Sequence, residues 1–174
     1  INNFFFFYWK SVSKHYPSYL KDARRDDIAN ITITCTDNIK SRIDTWNILK
    51  DIPARNYTDY STPLYWLDFG NTQSSGQVVL GTVPRRIKQP KSQIYKTVPS
   101  LKVITKMVKF SKIKDDDSGP SCSLAEALEK QDLFINSTLA QLGCDILWKM
   151  FRHGMVEHQG LYLNLNTMKV NPIM

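Results

Sequence analysis

The chain lacks any long hydrophobic run. Its 174 residues contain no apolar stretch near the roughly 20 residues that a transmembrane helix requires. Residues 4–9 are mostly aromatic, but they lack the basic flank and the cleavage site of a secretion signal. These absences argue against a membrane protein and against a secreted one, so we predict a soluble cytoplasmic protein without a membrane partner.

Cysteine and glycine motifs are also scarce. The three cysteines, Cys35, Cys122 and Cys144, are odd in number and unevenly spaced, which argues against a disulfide framework and fits a reducing compartment. No Cys-x-x-Cys pair is present, so we expect no zinc. Cys35 and Cys144 have the apolar neighbours typical of core positions. No Gly-x-Gly-x-x-Gly occurs, so this form of nucleotide loop is missing.

The composition otherwise suits one folded unit. Apolar residues make up 42% of the sequence, enough for one sizeable core. The net charge of +7 is local, because residues 85–114 hold ten Lys or Arg and no acid, while the remainder sums to −3. Such a stripe is either a solvated loop with an exposed strand or a surface for nucleic acid or an acidic partner.

The most informative segment is residues 35–42, where a strand gives way to a helix. Residues 28–35 are rich in isoleucine and threonine and predict a buried strand. Apolar residues at helical spacing then predict a helix that begins near Asn38 and stops before Pro53. Asp37 falls between them, at the edge where α/β sheets bind ligands. From local spacing, Asp37 is either a Mg²⁺ ligand or a plain helix cap.

The other predicted elements are two strands joined by a hairpin, a basic crossing segment, a long helix and a closing strand pair. They occupy, in order, residues 66–71 and 78–81, 84–121, 124–150, and 161–165 with 168–172. Gly154 is predicted to end the long helix. Asp68 leads into the hairpin, where it is either turn chemistry or a second wall of the crevice beside Asp37.

Cys122 immediately precedes the predicted long helix. Ser123 and Glu126 form a capping box, which places the thiol at the helix amino terminus. The dipole and free N–H groups there favour the thiolate, so Cys122 is a candidate nucleophile. The alternative is a small buried side chain at a loop junction.

Four segments, in this order, resemble the ThiF/MoeB/ubiquitin-activating superfamily. They are Cys-Thr-Asp-Asn followed by Arg42, residues 66–81, the Pro-Ser-Cys-Ser-Leu-Ala-Glu-Ala-Leu run at residues 120–128, and the closing strand pair. The last run is especially similar to the ThiF-family protein of the bacterial ParB-related, ThiF-related cassette (PRTRC system). The resemblance implies an α/β fold, namely the carboxyl-terminal portion of a Rossmann-like ThiF-type sheet with flanking helices. Residues 1–174 would form one part of a single adenylating domain whose nucleotide loop precedes them.

The resemblance also implies an activity and its residues. Members adenylate the terminal carboxylate of a small ubiquitin-like or sulfur-carrier protein with ATP and Mg²⁺, and ThiF and MoeB form homodimers. By position, Asp37 would hold Mg²⁺, and Asn38 and Arg42 would join it in contacting the nucleotide. Cys122 would accept the carrier as a thioester. Residues 1–174 alone are expected to be inactive.

Two alternatives stay open at this point. Arg42 lies four residues after Asn38 on one helical face, so it would either reach the nucleotide or brace the turn, and we favour bracing. The whole chain is alternatively a catalytically inactive ThiF-like module. Such a module would bind an acidic partner or nucleic acid through residues 85–114, with an affinity that falls steeply with salt.

Overall fold

The computed structural model describes residues 12–13, 28–53, 62–83, 87–92, 94–110 and 131–174. Within these residues the chain forms five strands and three helices. In chain order they are β1 (Ile31–Cys35), α1 (Ile39–Asp51), β2 (Tyr65–Asn71), β3 (Ser75–Thr82), α2 (Ile104–Met107), α3 (Ile135–His153), β4 (Gly160–Asn164) and β5 (Lys169–Ile173). The predictions for residues 4–9 and for Cys122 with its capping box lie outside the described residues.

The strands form one mixed sheet in the order β1-β2-β3-β4-β5. β1 and β2 are parallel, and α1 connects them, whereas each later pair is antiparallel. The predicted hairpin is confirmed between β2 and β3, where the Thr72 N–H donates to the Ser75 carbonyl at 2.8 Å. The predicted closing pair is confirmed as β4 and β5. The fold is therefore mixed α/β, with helices flanking a five-stranded sheet.

A hydrophobic cluster covers each face of the sheet. On one face, Leu49 of α1 and Ile104 of α2 pack with Trp66 and Val79. On the other face, Ile135, Leu139 and Ile146 of α3 pack against strands β2, β3 and β4. Alternate residues of a strand point to opposite faces, so the sheet contributes to both clusters. The site described below lies on the α1 face.

Helix α1 begins and ends as predicted, but a different face is buried. Asn38 is its N-cap, and its side-chain oxygen accepts a hydrogen bond from the Ser41 N–H at 2.8 Å. The apolar spacing predicts a buried Ile43, yet that side chain is 40% exposed, whereas Arg42 and Thr45 are buried. The reason is that the first turn of α1 packs over polar groups of the sheet, which the hydrophobic pattern does not register.

The core positions predicted for Cys35 and Cys144 are wrong, since both thiols are exposed. Cys35 lies on the same face of β1 as Ile33, which is 52% exposed. On that face α3 covers β2, β3 and β4, so β1 lies beyond its cover and is not the fully buried strand that its sequence predicts. Cys144 lies on the outer face of α3. The buried face of this helix includes Gly143 and Ile146.

Residues 101–110 of the basic crossing segment differ from what the sequence predicts. They contain the short helix α2, whereas one interpretation of the basic stripe is a solvated loop with an exposed strand. Val103 and Ile104 are buried in the α1-side cluster. The side-chain amide of Gln159 donates to the carbonyls of Lys102 and Leu80, which ties the segment to the sheet. At the far end of α3, Gly154 terminates the helix with a φ of 68°, as predicted.

Among the described residues, no helix combines the length and the apolar character needed to cross a bilayer.

Candidate functional site

The candidate site lies at the edge of the sheet where β1 and β2 both end. Cys35 pairs with Phe69, so the two parallel strands deliver their carboxyl ends side by side. Asp37 follows β1 in the short turn to α1, and its side chain is exposed. Within the described part of the chain, no hydrogen bond or ion pair engages the Asp37 carboxylate.

Asp37 is not the cap of helix α1. That role belongs to Asn38, whose side chain accepts the Ser41 N–H. The plain-cap interpretation of Asp37 is therefore wrong. The same contact commits the Asn38 side-chain oxygen to the backbone of α1. Any contact of Asn38 with a nucleotide would therefore use its other polar groups.

Arg42 braces the turn that carries Asp37. Its side chain is buried, and Nη2 donates to the carbonyl oxygens of Thr36 at 2.6 Å and Phe69 at 2.9 Å. Nη1 donates to the Asn38 carbonyl at 3.4 Å. The guanidinium therefore joins the residues on both sides of Asp37 to the end of β2. The bracing interpretation of Arg42 fits this geometry, because most of its donors are already used inside the protein.

Asp68 is the partner of Arg42. Nε of Arg42 donates to Oδ2 of Asp68 at 3.0 Å, and the Thr34 hydroxyl donates to Oδ1 at 2.7 Å. The turn-chemistry interpretation of Asp68 is wrong, because the residue lies inside β2 with no exposed surface and the hairpin turn comes later, at residues 72–74. Its carboxylate faces α1 and not the open edge.

Burial dominates the ionisation of Asp68. Removal from water raises the pKa of its carboxyl above the ordinary value, and the charge of Arg42 and the hydrogen bonds from Thr34 and Arg42 oppose that rise without cancelling it. The ion pair is thus held at a desolvation cost. Its contribution is to fix the position of groups, more than to add net stability.

Gly70 makes room for the guanidinium. A Cβ atom at this position would lie 2.8 Å from Nη2 of Arg42 and would also collide with the Gln77 side chain. Because glycine has no Cβ, Arg42 can lie across the end of β2 and reach the Phe69 carbonyl. Gly70 is therefore a packing requirement of the site.

Thr34 links the network to the core. Its hydroxyl oxygen accepts the indole N–H of Trp66 at 2.7 Å while its proton is donated to Asp68. Trp66 in turn stacks on Trp46 of α1, with ring centroids 6.2 Å apart and planes 12° from parallel. Polar order at the site and aromatic packing between α1 and the sheet are consequently coupled through one hydroxyl group.

We expect Thr34→Val to lower the free energy of unfolding by about 1–3 kcal/mol, because it leaves a buried indole N–H and a buried carboxylate oxygen without partners. Thr34→Ser retains the hydroxyl and should lose much less. Denaturant unfolding followed by tryptophan fluorescence measures both variants. A loss in Thr34→Ser as large as that in Thr34→Val would mean that the methyl group contributes as much as the hydroxyl, and no loss in Thr34→Val would contradict the role of the hydroxyl.

Of the four predicted site residues, the structure describes three, and it brings them together at one turn. Asp37 is exposed on a braced turn, Arg42 is the brace, and Asn38 caps α1. Asp68 and Thr34 complete the arrangement, although the sequence leaves two interpretations open for Asp68 and predicts no role for Thr34. The available signal was a single acid within an apolar strand, which is unusual unless a partner is buried with it. Cys122 lies outside the described residues.

The chemistry available at this edge is that of one solvent-facing carboxylate held at a fixed position. No group of three or more His, Cys, Asp or Glu in the described ranges is arranged to hold a metal ion. A lone carboxylate nevertheless suits Mg²⁺, which usually takes one or two protein carboxylates and completes its shell with water and substrate phosphates. Neither the comparison with protein-family models nor that with curated proteins finds a match to this chain.

Proposed function

We propose that this chain acts as part of an ATP-dependent activating enzyme that adenylates the terminal carboxylate of a small ubiquitin-like or sulfur-carrier protein. The finer fold assignment, a Rossmann-like sheet of the ThiF type, belongs to the same proposal. The motif order in the sequence motivates both. A parallel β1-α1-β2 unit with its ligand edge at the carboxyl ends of the strands supports them.

The observation that carries the proposal is the state of Asp37. Its carboxylate is exposed, it does not cap α1, and the residues flanking it are fixed by Arg42. An acid needed only for folding would be expected to make a folding contact. An exposed acid at the carboxyl end of two parallel strands is suited to a cation or a donor group brought by a ligand.

Adenylation brings two anions together, the ATP phosphates and the carrier carboxylate. When bound, Mg²⁺ supplies positive charge between such groups and so lowers the barrier of the displacement. Asp37 is the residue that would hold it. Arg42 and Asp68 act as positioning residues, since Arg42 bonds the carbonyls of the turn and Asp68 holds Arg42 in place. Their task is to keep the Asp37 turn in one conformation, because misplacement of a catalytic group is costly.

The test is ATP–pyrophosphate exchange by the natural full-length protein with candidate carriers that end in Gly-Gly. Exchange should depend on the carrier and on Mg²⁺, and a carrier with its last residue removed should not support it. A protein that binds ATP but exchanges no pyrophosphate with any such carrier would overturn the proposal.

Cys122 is proposed to receive the activated carrier as a thioester. Its sulfur would attack the acyl carbon of the adenylate and release AMP, so that a carbon–sulfur bond replaces the carbon–oxygen bond. We expect Cys122→Ser to retain exchange but to lose the dithiothreitol-sensitive adduct seen on a gel. Cys144→Ser, which alters an exposed cysteine of α3, is the matched control and should keep both. A thiol-sensitive adduct in the Cys122 variant would disprove this role.

A further inference from the structure

A closed loop follows β3 at the end of the sheet opposite Asp37, where β2 begins. β3 runs antiparallel to β2, so Thr82 pairs with Tyr65 at the start of β2, whereas the Asp37 turn lies beyond the end of that strand. The chain leaves the sheet after Thr82 and returns at Leu101, whose carbonyl accepts the Thr82 N–H at 3.1 Å. Any ligand of this loop is therefore separate from the site at Asp37.

Gln89 closes the loop, whose described residues are 87–92 and 94–99. Its side-chain amide donates to the carbonyls of Ile87 at 3.0 Å and Val98 at 3.2 Å, and the Ile87 N–H donates to the Pro99 carbonyl at 2.8 Å. The Thr97 hydroxyl donates to the side-chain oxygen of Gln89. These bonds link both arms of the loop, which gives it a defined shape instead of an extended path through solvent.

The surface of this region is uniformly basic. Among the described residues, six exposed lysines follow one another along the segment: Lys88, Lys91, Lys96, Lys102, Lys106 and Lys109. The sequence holds no acid between residues 85 and 114, and within the described ranges none of the six forms an ion pair. Lys106 lies over the Trp46 ring, with Nζ 5.3 Å from the ring centroid. Like charges without ion-pair partners along one segment repel each other and favour an anionic ligand.

Apolar side chains lie exposed between these lysines. Ile94 is 81% exposed, Tyr95 is 58% exposed and Val98 is 52% exposed. Three exposed apolar side chains within five residues are not needed in a loop that contacts only water. The tip therefore combines positive charge with an aromatic face and aliphatic contact area.

We propose that residues 87–92 and 94–109 form a binding surface for single-stranded nucleic acid, with the lysines on phosphates and Tyr95 stacked on a base. Lysine is a flexible point charge suited to a phosphate backbone, whereas carboxylates of an acidic protein are matched best by the planar fork of arginine. A base can stack on Tyr95 only when it is unpaired, which favours a single strand over a duplex. Ile94 and Val98 then pack beside the stacked base.

The test uses the full chain and a fluorescein-labelled dT20 oligonucleotide, with binding followed by anisotropy across a range of salt concentrations. We expect Tyr95→Ala to weaken binding about 10-fold at fixed salt, while Tyr95→Phe retains the ring and binds like the unaltered protein. Lys91→Ala combined with Lys96→Ala should reduce the slope of log affinity against log salt by about 0.7 for each lysine. Lys169→Ala, at the opposite edge, is the control and should change neither quantity.

The alternatives give different results in the same assay. Equal affinity for a 20-base-pair duplex, or an unchanged affinity in Tyr95→Ala, would overturn the single-strand proposal. So would stronger binding to polyglutamate or to vesicles containing anionic lipid than to dT20. Gln89→Ala removes the closure without changing charge, so it should weaken binding while leaving the salt slope intact. If it binds as well as the unaltered protein, the surface is a charged segment and not a built site.

Discussion

Arg42→Ala is expected to lower the free energy of unfolding by about 3–5 kcal/mol at neutral pH, the loss typical of breaking one partner out of a buried ion pair. The substitution leaves the Asp68 carboxylate fully buried with only the Thr34 hydroxyl beside it. It also leaves the carbonyls of Thr36 and Phe69 without their donor. Arg152→Ala, which removes an exposed arginine from the last turn of α3, should cost less than about 1 kcal/mol.

The loss of unfolding free energy caused by Arg42→Ala should grow as pH rises. The pKa of Asp68 is already raised by burial, so in the unaltered protein its contribution to stability is fully present below the ordinary carboxyl value and declines as pH rises through the folded value. Removing Arg42 removes a charge that lowers this pKa, so the variant loses more stability than the unaltered protein over the same rise. Denaturant unfolding between about pH 4 and pH 8 measures the difference. A pH-independent loss would mean that the backbone contacts of Arg42 account for its whole effect.

A double-mutant cycle separates the charge pair from those contacts. The double variant, Arg42→Met with Asp68→Asn, should lose less stability than the sum of the losses in the two single variants. Each single variant leaves one buried charge without its partner, whereas the double variant leaves none. Strict additivity in this cycle would show that the two side chains do not depend on each other.

Asp37→Asn is expected to reduce carrier-dependent pyrophosphate exchange by at least about 100-fold. The amide keeps the shape of the side chain but removes the negative charge proposed to hold Mg²⁺, an interaction of several kcal/mol in the transition state. Because the Asp37 side chain is exposed and does not cap α1, the same change should alter the free energy of unfolding by less than about 0.5 kcal/mol. The pair of measurements distinguishes a catalytic role from a structural one.

Asp51→Asn provides the matched control, since Asp51 is exposed at the other end of the same helix. It should leave exchange unchanged. Raising the Mg²⁺ concentration should restore part of the activity of Asp37→Asn if the loss reflects weakened metal binding. Undiminished exchange in Asp37→Asn at low Mg²⁺ would remove Asp37 from the site.

Local signals account for most of the elements. Pro53 and Gly154 stop α1 and α3 because one restricts the preceding residue and the other adopts a left-handed conformation. Alternation with a short polar turn identified the β2–β3 hairpin and the β4–β5 pair. These features depend on neighbours within a few residues, so one sequence is sufficient to read them.

The interior of the candidate site depends on contacts that sequence spacing does not encode. Arg42 and Asp68 are 26 positions apart, and they meet because α1 crosses back over the parallel strand β2. Asp68 looked like a turn residue because the turn is only a few positions away. The exposure of Cys35 likewise depends on how far α3 extends across the sheet, which is a property of the assembled layers.

The direction of β3 has a thermodynamic consequence. Its eight residues run from the hairpin near the Asp37 edge to the base of the loop closed by Gln89, a path of about 26 Å at about 3.3 Å per residue. Perturbations of the Asp37 turn and of loop residues 94–99 are that far apart, and perturbations at such a distance ordinarily combine without interaction energy. Variants that change carrier activation and variants that change oligonucleotide affinity can therefore be combined in one polypeptide, and their free-energy effects should sum.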